Sequence, residues 1–175
     1  PSVIPFAANI FALKKLGVKT VIATTAVGSL TYKMKPRDLV IVDQVIDKTF
    51  KRQNTFFDGF GAVHCELAKP YCDRLRKILA NVSKKIDAEV HKKGTYVCME
   101  GPQFSTIAES LMHKKWGGDL IGMTAMPEAK LAREAQMCFA LVSMVSDYDC
   151  WRKPDKKAAA PELIKEIIGN LTAAT

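Results

Sequence analysis

Apolar residues fall into two alternating patterns along the chain. Over residues 5–16, Phe6, Ile10 and Leu13 recur at helical spacing, and Gly17 stands where a helix would end. The stretch VKTVIATTAVGSL then predicts a buried strand over residues 18–24 that runs into a small-residue turn. DLVIVDQVID predicts another buried strand, introduced by a turn around Pro36, Arg37 and Asp38. Residues 50–64 are polar and aromatic with two glycines, and predict a loop. Residues 70–90 place Leu75, Ile78, Leu79, Val82 and Ile86 on one helical face. GTYVCMEGPQF predicts a strand stopping at Gly101-Pro102, with a helix over 105–116. DLIGMT follows as a short strand, PEAKLAREAQM as a helix with proline in its first turn, and CFALVSMVS as a strand. A last amphipathic helix is predicted over 161–171. Near-continuous apolar strands alternating with helices predict a layered α/β fold, with a mixed, mostly buried sheet flanked by helices.

There are no internal repeats or linkers, so residues 1–175 are expected to form one domain. No apolar run approaches the roughly 18 residues of a membrane span, and no pattern of a secretory leader precedes the first helix. The five cysteines are odd in number and lack Cys-x-x-Cys spacing, which predicts reduced, buried thiols in a cytoplasmic protein. A net charge of +8 raises nucleic acid as a partner. The lysines, however, are scattered in pairs such as Lys14-Lys15 and Lys92-Lys93, with no aromatic-rich basic run, and this spread argues for solvated faces. Such a surface also attracts small anions.

Four segments follow predicted strands, where ligands gather in α/β folds. TTAVGS offers hydroxyls and backbone amides to an anion, or forms a plain turn. EGPQFS places Phe104 and Ser105 directly after a strand, the ring either stacking on a planar ligand or joining the core. In GMTAMPEA, Thr124 is equally a phosphate ligand and a helix-capping hydroxyl. SDYDCW carries Asp147 and Asp149, two apart, which share a face in an extended strand. Either both carboxylates face one site, as acid–base groups for glycosyl chemistry, or one caps a helix and the other is solvated. No His or Glu stands beside them at ligand spacing, so no metal is expected.

Taken in order, TTAVGSL, DLVIVDQVIDKT, FFDG, EGPQFSTIAES, GMTAMPEAKLAREA and SDYDCW resemble the 5′-methylthioadenosine phosphorylases, within the trimeric branch of the purine nucleoside phosphorylases. The resemblance implies cleavage of a purine nucleoside by inorganic phosphate as co-substrate, without a cofactor. It implies that the Thr25 hydroxyl, the Ala26 amide and the Thr124 hydroxyl bind phosphate, and that Met123 lies against the ribose. Phe104 and Ser105 would sit near the base, Asp147 would donate a proton to the purine N7, and Asp149 would share recognition of a 6-amino base. His64 would reach a neighbouring subunit's sugar pocket, which implies a homo-oligomer, a trimer or a dimer of trimers; Leu163 and Ile164 would cover the 5′-methylthio group.

The family's first strand, its Gly-rich turn and an Arg-His pair at the anion site align before Pro1, and the C-terminal end stops early. The expectation is therefore a piece of a longer protein. The competing expectations are an enzyme for another purine nucleoside and a relative that binds nucleosides without turnover.

Overall fold

The computed structural model describes residues 1–152, 165, 168–170 and 172. Its strands are β1 (Thr20–Ser29), β2 (Leu39–Ile41), β3 (Gln44–Lys48), β4 (Val90–His91), β5 (Thr95–Met99), β6 (Leu120–Gly122) and β7 (Cys138–Tyr148). They form one sheet in the order β3-β5-β6-β1-β7-β2-β4. The helices are α1 (Phe6–Lys15), α2 (Asp73–Val82), α3 (Ile107–Lys115) and α4 (Ala125–Glu134). β3, β5 and β6 run parallel to one another, as do β1 and β7, while β6 and β1 meet antiparallel. The sheet is mixed, as expected, and it changes direction at the β6/β1 seam.

Alternation along the strands sends neighbouring residues to opposite faces. Tyr96, Cys98 and Leu120 join Phe6 and Ile10 of α1 and Ala129, Leu131 and Ala132 of α4 in the main core, whereas Val97 and Ile121 pack with Leu30 in a second cluster. Both faces are therefore buried here, which explains the near-continuous apolar runs. Each fully buried Val, Leu or Phe contributes about 1.5–3 kcal/mol.

The structure departs from the sequence expectations in four places. DLVIVDQVID is two strands: β2 pairs with β7, and β3 pairs with β5 across the sheet. The break falls at Asp43, whose carboxylate accepts from the Gly94 amide at 2.8 Å while its own amide donates to the Gly94 carbonyl. The strand expected to be buried over 18–24 has no buried residue, Ile22 being 50% exposed, and TTAVGS is the second half of β1 because β7 pairs alongside it as far as Ser29. The helix expected over 70–90 is regular only as far as Val82, and Ile78, Val82 and Ile86 are left exposed.

The fourth departure concerns the thiols. Cys72 and Cys138 form a disulfide, with Cα atoms 5.3 Å apart and 66 residues between them in sequence. The expectation of five reduced thiols is corrected, and the physical reason is tertiary. The Cys72 amide donates to the Phe139 carbonyl at 2.8 Å, which lays the start of α2 against the start of β7. Spacing along the chain carries no trace of that meeting. Of the other cysteines, Cys98 is buried, Cys150 half-buried and Cys65 exposed. Among the described residues, no helix is long and apolar enough to cross a membrane.

Candidate active site

A cavity of about 340 Å³ opens along the β6/β1 seam. The second half of β1 supplies Thr25, Ala26 and Gly28, and the turn after β6 supplies Met123 and Thr124. Ser146 and Asp147 come from the end of β7, with Asp149 just beyond, while Met99 and Phe104 close the side beyond β5. Residues drawn from widely separated segments of the chain therefore share one wall.

The two threonine hydroxyls converge, with their Oγ1 atoms 2.9 Å apart. Thr124 stands at the N-cap of α4 but makes no side-chain cap, so its hydroxyl is directed to the cavity instead. Its amide donates to the Tyr96 hydroxyl at 3.4 Å. Burial, reinforced by Cys98, pushes that phenol up to about 12, so it serves as a neutral hydrogen-bonding post.

The carboxylates converge too, over Gly28. A Cβ on that glycine would lie 3.5 Å from Asp149 Cβ and 3.6 Å from Asp147 Oδ2. Both acids therefore lie at van der Waals distance from this position, and Ile121 Cγ2, at 3.3 Å, is the tighter neighbour. Asp149 is 9% exposed, and its Oδ2 is buried without a hydrogen-bond partner among the described residues. The Ser29 carbonyl holds this turn, accepting from the Asp149 amide at 3.0 Å and from the Trp151 indole at 2.8 Å. Asp149 is thus neither a helix cap nor solvated.

Ser146 stands beside Asp147, its hydroxyl 2.6 Å from Asp147 Oδ1 and 3.1 Å from the Val27 carbonyl. A hydroxyl has one hydrogen to give and a carbonyl can only accept. Ser146 can donate to Oδ1 when that oxygen carries no proton, or donate to Val27 and accept a proton held on Oδ1. One serine therefore satisfies both protonation states of the acid.

Not every expected residue reaches the cavity. Phe104 does, and at 70% exposure it is available for stacking rather than belonging to the core. Ser105 lies behind the wall, its carbonyl accepting from the Cys150 thiol at 3.2 Å and its hydroxyl 3.8 Å from Met99 Sδ. His64 is exposed in the loop between β3 and α2, away from the lining. Leu163 and Ile164 lie outside the described residues. Gly28, Met99 and Ser146 were not anticipated. Only Ser146 left a signal, a hydroxyl next to the acid.

A buried ion pair braces the site from beneath. Glu100 receives the Ser2 hydroxyl, the amides of Phe50 at 2.7 Å and Lys51 at 3.2 Å, and Arg52 Nε at 3.2 Å. Burial works to raise its pKa, but these donors outweigh it and hold the carboxyl at about 2, below its ordinary 4.5. A depressed folded-state pKa gives stability that is present above 4.5 and lost as pH falls toward 2. Urea midpoints measured from pH 6 to 2.5 are expected to fall more steeply for the parent than for Glu100→Gln. Equal slopes would show that Glu100 is not so held.

Among the described residues, no group of three His, Cys, Asp or Glu side chains could hold a metal ion. The cavity brings together a pair of hydroxyls and a pair of acids.

A layered α/β sheet with this seam cavity places the chain in a defined class: it belongs to the phosphorylase superfamily, which it matches over residues 1–173. Its relatives there are S-methyl-5′-thioadenosine phosphorylases. That of Cereibacter sphaeroides is 53% identical over 151 residues, covering 86% of this chain and 52% of the relative. That of Pyrococcus horikoshii is 49% identical over 170 residues, covering 97% and 65%. A methylthioadenosine phosphorylase from an antarctic soil metagenomic library superposes with a TM-score of 0.89 at 47% identity, over 99% of this chain and 62% of that one. A double mutant of adenosine/methylthioadenosine phosphorylase from Schistosoma mansoni, in complex with adenine, gives 0.88 at 36% identity, over 99% and 69%. The chain thus spans between about half and two thirds of the length of the curated relatives named here.

Proposed function

We propose that this chain carries the site for phosphorolysis of S-methyl-5′-thioadenosine to adenine and S-methyl-5-thioribose 1-phosphate. The observation that carries it is the meeting, in one cavity, of the Thr25–Thr124 hydroxyl pair with Asp147 and Asp149. A phosphate placed between the hydroxyls replaces their mutual hydrogen bond, with the Ala26 amide beside it and Met123 against the ribose. The bond between C1′ and the purine breaks as a phosphate oxygen bonds to C1′. The departing base gains negative charge, which a proton from Asp147 to N7 neutralises. The free Oδ2 of Asp149 accepts from the 6-amino group, and Phe104 stacks on the ring.

A site built to accept from an amino group rejects an oxo base, because its buried acceptor is left unpaired. Adenosine is the second reading, favoured by the S. mansoni relative that is named for both nucleosides. The exposed His64 loop supports a homotrimer in which that residue serves a neighbouring subunit's sugar pocket, as the family resemblance implies. The reaction needs no cofactor and no nucleic-acid or membrane partner. The cytoplasmic assignment rests on this reaction class alone, since the Cys72–Cys138 disulfide removes the support from reduced thiols.

The test is adenine release from S-methyl-5′-thioadenosine with and without inorganic phosphate, read by chromatography. Release in proportion to sugar 1-phosphate, and only with phosphate, is expected. Equal release without phosphate would make the protein a hydrolase, and binding without release would make it a nucleoside receptor.

A further inference from the structure

We infer that Arg52 is a positioning residue that locks the base side and the sugar–phosphate side of the cavity into one rigid frame. This rests on the phosphorolysis reading of the same site. Arg52 comes from the loop after β3, outside the cavity lining, and its side chain is 1% exposed. An arginine buried so completely requires partners for all its donors, and the partners found here are informative. Nη2 donates to the Glu100 carbonyl at 2.7 Å and reaches the Met99 carbonyl at 3.3 Å, both at the exit of β5. Nη1 donates to the Met123 carbonyl at 2.7 Å and to the Met126 carbonyl, on either side of Thr124. Nε pairs with the Glu100 carboxylate at 3.2 Å, and the guanidinium lies over the Phe6 ring with its carbon 5.3 Å from the centroid.

One planar group thus holds carbonyls from both chain turns that shape the cavity. Met99 leads into the first turn and Phe104 follows it, while Met123 and Thr124 belong to the second. The turns also touch directly. Gly101 has φ +69°, and a Cβ there would stand 2.5 Å from Met123 Sδ, so the glycine leaves room for the methionine to lie against it. Packing sets the distance between the turns, and the guanidinium sets their relative orientation. Its fork has fixed geometry, and a lysine ammonium is a single point that cannot meet acceptors on both sides at once. Reacting groups must hold near-attack geometry, and a displacement of about 1 Å can cost on the order of 10²-fold in rate.

The test compares the parent with Arg52→Lys and Arg52→Ala in the full-length protein, reading kinetics, melting temperature and the methyl NMR signals of ¹³C-methyl methionine. The lysine variant is expected to stay folded, with kcat about tenfold lower and a smaller change in KM for the nucleoside. The methyl signals of Met99, Met123 and Met126 are expected to shift or broaden, while those of Met34 and Met144 stay in place. Added guanidinium ion is expected to restore part of the lost kcat in Arg52→Ala and none in the parent. A variant that melts lower but keeps the parent's kcat and methionine spectrum would reduce Arg52 to a structural residue and overturn the inference. The methyl signals do not depend on turnover. If the parent itself releases no adenine, the functional reading fails, while unmoved Met99 and Met123 signals in the variant would overturn the frame on their own.

Discussion

Asp147→Asn is expected to lower kcat for S-methyl-5′-thioadenosine by about 10²–10⁴-fold, the span that a positioned general acid contributes. Asparagine keeps the shape of the side chain and its place opposite Gly28, so the cavity is unchanged in volume. What it loses is the transferable proton. The leaving purine then departs as an anion with a hydrogen bond in place of a covalent N7–H, and the cost falls on the transition state alone. KM for phosphate, which the proposal assigns to Thr25 and Thr124, is expected to stay within about threefold, because a transition-state interaction can be removed without touching ground-state binding. Parent-level turnover would remove Asp147 from the role of proton donor. A loss confined to KM would recast it as a binding group.

The second large effect is on stability. Joining residues 66 apart restricts the unfolded chain, and loss of such a bridge costs about 2–5 kcal/mol. Taking about 3 kcal/mol, the melting temperature in a reductant is expected to fall by roughly 10 °C for a chain of this size. The double variant Cys72→Ala/Cys138→Ala is expected to melt at the same low temperature with or without reductant. Alkylation of the unfolded, unreduced protein is expected to label Cys65, Cys98 and Cys150 only. Five labelled thiols, or a melt indifferent to reductant, would show that the bridge does not form.

How much of this was visible in the chain depends on whether a feature is local. The α1 helix, the buried β5 and β7 runs and the α3 helix follow from periodicity and from the glycines and proline at their ends. Each of those signals lies within a dozen positions. The two acids were visible as a pair because strand geometry alone brings alternate residues to one face. Features set by contacts between distant segments were not visible. DLVIVDQVID looks like one strand because nothing within it announces that Asp43 will pair with Gly94. TTAVGS looks like a turn because small residues favour turns, yet pairing with the distant β7 makes it strand. Arg52 and Glu100 carried no local pattern at all. Phe104 and Thr124 had two local readings each, and only exposure and the missing cap separated them.

The pairing of β1 with β7 has a consequence for how this site can change over generations. The register runs Val27 to Val145 and then Gly28 to Asp147, so Ser146 is the extra residue of a bulge. A bulge re-aims the side chains beyond it, and a one-residue slip in a strand turns each of them to the opposite face. Substitutions along this stretch can be tried one at a time, each with its own graded cost. An insertion or deletion between Val145 and Asp147 cannot: it would rotate the acids out of the cavity together and leave Gly28 facing a different residue. A change of side chain here therefore alters one contact at a time, whereas a change of length just before Asp147 displaces both acids at once.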